Sequence, residues 1–285
     1  MNGDSRPHAY RLAHWIPVPA QSSFVPQGSP VALQMRGTDV PSEIIYCIGD
    51  SHIHFFSGWD HIGPEYPGIY YGRLPYFKSF RLGAVLAYNL CKTGTTTEGR
   101  EKLFNILNFD VKPPAKLLLS FGEIDCRVHL LKQRDVRKKP LQEVVAECVD
   151  RYVSVIAEIT SLGYEVLVWN VVPSSLTDIQ DDRYGTYGSC VERNHVTKLF
   201  NDYLGEQCGR HQSKFISIFS QLVDENGLSK NEYYMDNIHI SQKAMPLALE
   251  ELKKQVPDFA FDAGPFRLLL ETVKSAILNK MAGRS

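Results

Sequence analysis

Short apolar segments alternate along this chain with longer amphipathic ones. Residues 44–48, 116–121, 165–172 and 215–219 are compact and mostly apolar, with polar or turn-forming residues at their ends, the pattern of strands buried on both faces. Between them, apolar residues recur at helical spacing near 79–91 and over 141–162, 191–212 and 241–255. This alternation predicts an α/β protein with three α/β/α layers around a central, mostly parallel sheet. Helix ends have local signals: Ser161-Leu162-Gly163 supplies a residue that tolerates positive φ, and Ser241 can cap the helix that follows it.

The flanks differ from this core pattern. Residues 1–43 contain Pro7, Pro17, Pro19, Pro26, Pro30 and Pro41, which predicts an irregular arm with one strand at 31–35 that packs over the domain. Residues 44–257 form the expected α/β domain. Residues 258–285 form an extension in which Phe266, Leu269, Leu270, Val273, Ile277 and Leu278 mark an amphipathic helix over 265–281. Packing on the domain is its expected role, and docking to a partner is the alternative. No internal repeat, low-complexity tract or linker divides the chain.

Composition narrows the function classes. With 285 residues, 44% hydrophobic and 22% charged, the chain can bury a large core as an ordinary globular protein. Its 31 basic and 32 acidic residues leave a formal charge of −1, so no global field draws nucleic acid or an anionic membrane. The basic run at 132–139 is expected to be a solvated helix or loop face. The six cysteines, at 47, 91, 126, 148, 190 and 208, have neither zinc nor redox spacing and fit small core residues. No run approaches the roughly 18 apolar residues of a membrane span, and the first residues lack the apolar core of a secretory signal. Together these predict a cytoplasmic, reduced protein with no membrane partner.

The most informative segment is the first strand, because it ends abruptly in Gly49-Asp50-Ser51 and so delivers a serine to the carboxyl edge of the sheet, where open α/β sheets place chemistry. A serine hydroxyl needs a base within hydrogen-bonding reach and a third group to orient that base. The segment Tyr234-Met235-Asp236-Asn237-Ile238-His239 supplies both, with Asp236 three residues before His239. Taken alone, Ser51 could equally be a helix cap, and His239 a surface or satisfied core histidine.

Gly-Asp-Ser closing a first strand, combined with Asp-x-x-His near the C-terminus, resembles the SGNH or GDSL hydrolase superfamily over roughly residues 44–254. The resemblance implies a flavodoxin-like sheet, Ser51 as nucleophile, His239 as general base and Asp236 as its orienting acid, with no metal and no organic cofactor. It further implies oxyanion donors from Gly83 and from the third block of the family, Gly-x-Asn-Asp. Here that block is Gly122-Glu123-Ile124-Asp125, so Ile124 stands where the Asn donor is expected. Losing one such donor typically costs two to three orders of magnitude in rate.

Several polar residues then have two readings each. Arg127 can stabilise an oxyanion or hold a substrate anion, or it can form a salt bridge with Glu123 or Asp125 that shapes the loop. Gly83 can offer an oxyanion amide or simply permit close helix packing. His52 can line the pocket, while His52, His54 and His129 lack the further ligands a metal would need. The run Lys92–Arg100, which lacks a P-loop ending, is expected to be a polar loop. The tyrosine-rich segment from Trp59 to Phe77 and the loop 181–188 are expected to wall the site.

These features predict a serine esterase or acyl transferase acting on a small O-acyl ester of a small molecule or glycan. A non-catalytic or weakly catalytic ligand-binding protein on the same fold is the alternative. A third class, phosphoryl chemistry using a cation at Glu123, Asp125 and Asp236, would need a ligand spacing these residues do not have. The sequence sets neither the oligomeric state nor the choice between hydrolysis and transfer.

Overall fold

The computed structural model describes residues 43–259, apart from Ile69 and 181–184. The expected N-terminal arm, except Glu43, and the expected helix at 265–281 lie outside the described residues. Five strands, β1 (Ile45–Gly49), β2 (Phe77–Arg81), β3 (Lys116–Ser120), β4 (Glu165–Trp169) and β5 (Lys214–Ile216), form one sheet in the order β2-β1-β3-β4-β5. Every pairing is parallel. The chain therefore reverses its direction of travel across the sheet between β1 and β3. That switch point opens a crevice at the carboxyl ends of these two strands.

Strand periodicity explains the two cores. Ile48, Leu117, Leu119, Val166 and Val168 face one side, while Ile45, Cys47, Leu118, Leu167 and Trp169 face the other. The first side is covered by α1 (Gly99–Asn105), α3 (Leu141–Ser161) and α4 (Cys190–Arg210), and the second by the 3₁₀ turn Ser51–Ser57 and by α6 (Met245–Gln255). The remaining helices, α2 (Leu130–Arg137) and the short α5 (Phe219–Leu222), complete the order. α4 begins with a capping box in which the Ser189 hydroxyl accepts from the Glu192 amide and the Glu192 carboxylate accepts from the Ser189 amide. α3 ends before Gly163, whose φ of +90° needs a residue without a Cβ.

The expected helix near 79–91 is not formed. Residues 77–81 are instead an edge strand, and 87–89 make a single 3₁₀ turn. The apolar spacing Leu82, Val85, Leu86 and Leu90 imitates a helix, but Gly83 at φ +96° breaks the backbone there. The Asp125 carboxylate then takes the amides of Ala87 and Tyr88 at 2.8 and 3.3 Å. The Lys92–Arg100 loop runs into α1 at Gly99, and the basic run at 132–139 lies mostly on α2. Arg137 and Lys139 there both pair with Glu147, in keeping with a solvated face. The described cysteines are all unpaired, and five of the six are buried.

Gly49 fixes how closely β1 approaches β3. A Cβ at this position would lie 2.4 Å from the Ser120 carbonyl oxygen, which is backbone and cannot turn aside. Gly49→Ala is therefore expected to cost about 1–3 kcal/mol in urea unfolding, as overpacking does. An unchanged midpoint would contradict this contact.

Candidate active site

Ser51 sits at the start of the 3₁₀ turn that follows β1, with Asp50 as its cap. Asp50 Oδ1 accepts the His52 amide at 2.9 Å, which fixes the turn immediately after the strand. The second half of the site comes from the segment before α6. There Tyr234 and Ile240 form an antiparallel bridge, and the Met235 amide donates to the His239 carbonyl at 2.9 Å. Asp236 Oδ1 accepts the amides of Ile238 and His239 at 2.7 Å each, so the carboxylate is locked to its own loop.

This loop faces the serine. His239 Nδ1 lies 2.8 Å from Asp236 Oδ2, and His239 Nε2 lies 2.8 Å from Ser51 Oγ, across 188 residues of sequence. Partial burial works against the Asp236 charge. The bonds from the His239 ring and amide outweigh it, and the carboxyl is held well below its ordinary range. An ionised Asp236 accepts Nδ1–H and so leaves Nε2 as the acceptor for the serine proton. The His239 loop is also tied to the segment behind Ser51, because Gln242 donates its amide to Asp60 Oδ1 and its side-chain Nε2–H to the Phe55 carbonyl, both at 2.7 Å.

Among the described residues, no acceptor takes the backbone N–H of Ser51, Gly83 or Gly122. Gly83 lies in a turn after β2 rather than at the opening of a helix. Gly122, at φ +115°, has no room for a Cβ against the Phe200 ring and Val171. Its successors begin the helical turn in which Ile124, half-buried, occupies the position of the expected donor.

The other polar residues of that turn are committed to the protein itself. Asp125 is buried, and its oxygens take the Ala87 and Tyr88 amides and the Cys148 thiol. Arg127 is buried too, donating Nε–H to Glu123 Oε1 at 2.7 Å and Nη1–H to the Gly185 carbonyl at 2.7 Å. Of its two sequence readings, the loop-shaping salt bridge is the one this geometry has. Burial disfavours the Glu123 charge, yet the His52 ring and the Arg127 guanidinium overcome it and hold the carboxyl below its usual range. Asp125 and Asp236 face different neighbours, so the three carboxylates do not converge on a cation site.

His52 is buried, and its ring packs on that of His239 with centroids 4.7 Å apart. Its Nε2 lies 3.6 Å from Glu123 Oε2, too long for a hydrogen bond.

Asp50 was not among the residues the sequence singled out, although it directly precedes Ser51. It is 1% exposed, its Oδ2 has no partner among the described residues, and burial followed by the nearby Glu123 charge pushes its pKa up to about 8, against the pull of the His52 amide. An acid whose folded pKa is raised binds its proton more tightly when folded, so its contribution to stability falls as pH rises from the unfolded value towards 8. Buried His54, lowered from 6.5 to about 4, works in the opposite direction, but only below 6.5. Stability is therefore expected to fall between pH 6.5 and 8, and Asp50→Asn, which keeps an acceptor for the His52 amide, to flatten that slope in urea titrations. An equal slope in the variant would remove Asp50 as its source.

The fold and this geometry define the class: an α/β protein with a parallel sheet, in which Ser51, His239 and Asp236 stand in line at the carboxyl end of β1. No family model and no curated protein matches the chain. Among solved structures it is similar to a GDSL-like lipase from Bacteroides thetaiotaomicron, at 11% identity over 76% of this chain and 88% of that one, with a TM-score of 0.47. It is also similar to a catalytic mutant of an acetylxylan esterase from Geobacillus stearothermophilus, at 12% identity over 76% and 94% of the two chains, with a TM-score of 0.44. A third is phospholipase A1 from Streptomyces albidoflavus, at 14% identity over 76% and 99%, with a TM-score of 0.40. No helix among the described residues is long and apolar enough to cross a membrane.

Proposed function

We propose that the chain is a serine hydrolase of the SGNH type that cleaves or transfers a small O-acyl group, with a carbohydrate ester as its substrate class. The observation that carries this reading is the continuous line from Asp236 through His239 to Ser51, with 2.8 Å at each contact. In the first half-reaction Ser51 Oγ attacks the acyl carbonyl carbon while His239 Nε2 takes the hydroxyl proton. The tetrahedral oxyanion is met by the free amides of Ser51 and Gly83. Collapse breaks the bond to the alcohol, which leaves with the proton from His239, and acyl-Ser51 remains. Water, or a second alcohol, repeats the sequence and regenerates the serine.

The carbohydrate part of the reading is supported by the aromatic segment beside the base loop. Trp59 donates Nε1–H to the Tyr71 carbonyl, and Tyr71 itself is 82% exposed. Rings of this kind stack on the apolar faces of sugars. The expected result is acetate release from an acetylated oligosaccharide, with Tyr71→Ala raising KM about fivefold for that substrate. Turnover of p-nitrophenyl acetate should be unchanged in the same variant. Equal KM values on the oligosaccharide would remove Tyr71, and with it this support for a sugar substrate.

Ile124 favours a second reading. With no side-chain donor there, the same pocket would bind an acylated ligand and turn it over slowly.

A further inference from the structure

A histidine that serves as base must be held in one orientation, and Asp236 alone is poorly placed to do this. Its side chain is 46% exposed, and it belongs to the same short loop as His239, so water competes for the contact. The ring of His239 has a second neighbour. It rests on His52, a buried ring from a different part of the chain, at 4.7 Å and a tilt of 34°.

His52 is in turn aimed from below. Glu123 Oε2 faces its Nε2 at 3.6 Å, and Glu123 is fixed by Arg127, which also holds the Gly185 carbonyl and accepts the Tyr187 amide on its own carbonyl at 3.1 Å. Neither nitrogen of His52 has a hydrogen-bond partner among the described residues, which is a cost for a buried imidazole and calls for an explanation.

We infer that His52 is the positioning residue for His239: its ring is the surface on which the base is set towards Ser51, and the buried Glu123–Arg127 pair sets the plane of that ring. The contact chain runs Arg127, Glu123, His52, His239, Ser51, and it joins the β3 turn to the nucleophile without passing through Asp236. The residues that take the place of an ordinary third block thus act on the base, not on the substrate. This rests on the reading of Ser51 and His239 as nucleophile and base.

The test compares His52→Phe, which keeps a planar ring, with His52→Leu, which fills a similar volume without one. Glu123→Gln is added because it retains an acceptor for Arg127 Nε and removes the charge that aims His52. Two readouts are taken on folded protein: the crystal structure at the His239–Ser51 contact, and the rate of Ser51 labelling by a fluorophosphonate, resolved into its saturating rate and its half-saturating concentration. Expected for His52→Leu is a His239 ring turned off Ser51 and a saturating rate lowered at least tenfold, with half-saturation unchanged. His52→Phe should keep the contact and label within about threefold of wild type, and Glu123→Gln should fall between the two.

A His52→Leu protein with His239 still on Ser51 at 2.8 Å, labelling at the wild-type rate, would overturn the inference. If that variant does not fold, His52→Phe and Glu123→Gln decide. Loss of the contact in the phenylalanine variant, or wild-type geometry and rate in the glutamine one, overturns it. If the wild type is not labelled at all, the enzymatic reading fails while the crystal structures still decide the positioning.

Discussion

Ser51→Ala is expected to lower hydrolysis of p-nitrophenyl acetate by about 10³-fold or more while leaving the unfolding midpoint close to that of wild type. On the proposed mechanism the hydroxyl oxygen bonds to the acyl carbon, so its removal leaves only the binding and amide contributions of the site. Ser51 is half-buried at the start of its turn, and among the described residues its Oγ makes one hydrogen bond, to His239 Nε2 at 2.8 Å, so little is lost with it. His239→Ala should cause a loss of similar size. Because the two groups act as a unit, the double variant should lose no more than either single one, a non-additivity that two independent contributions would not produce. Additive losses, or a serine variant with full turnover, would place the chemistry elsewhere.

The largest expected effect on stability is at Arg127. Its side chain and that of Glu123 are 3% and 6% exposed, and the guanidinium bonds both the carboxylate and the Gly185 carbonyl. Replacing it by methionine fills much of the volume but strands the Glu123 charge away from water. Breaking a buried pair in this way costs about 3–5 kcal/mol, far more than the pair is worth against an apolar replacement. The unfolding free energy of Arg127→Met in urea should fall by that amount, and the added change Glu123→Gln should recover part of it. A loss below about 1 kcal/mol would mean that solvent reaches Glu123 in the folded protein.

Both effects come from residues that the sequence shows with unequal clarity. The strands β1, β3 and β4 and the long helix α3 were legible because burial on both sheet faces and on one helix stripe imposes strong periodicity, whereas α4 buries Arg193, Asn194, Thr197, Asn201 and Gln207 along with its apolar residues and so carries a weaker stripe. Strand β2 was not legible. It pairs only with β1 at the sheet edge, and three of its five residues are half-buried, so its pattern was weaker than the helix-like spacing of Leu82, Val85 and Leu90. Gly83 at φ +96° breaks the backbone there, and the Ala87 and Tyr88 amides are taken instead by Asp125, a partner 37 residues beyond Tyr88 that leaves no local trace.

The site divides along the same line. Ser51, Asp236 and His239 could be paired from the sequence because each sits in a short motif whose chemistry demands the others. The roles of Glu123, Asp125 and Arg127 could not be sorted, since three charged residues in one turn allow several pairings. Only the fold shows that Asp125 serves the 87–88 turn while Glu123 and Arg127 pair beneath His52. Asp50 went unnoticed because its raised pKa depends on burial, which an aspartate before a serine does not announce.

The central claim is an activated Ser51, and covalent labelling tests it with the least dependence on substrate. Wild-type protein is incubated with a fluorophosphonate, its intact mass is measured, and the modified peptide is mapped, with His239→Ala alongside. The geometry predicts one adduct per chain, on Ser51, formed quickly in the wild type and slowly or not at all in the variant. No adduct on the wild type, or one that forms equally fast without His239, would contradict it and leave a protein that binds acylated ligands without turning them over.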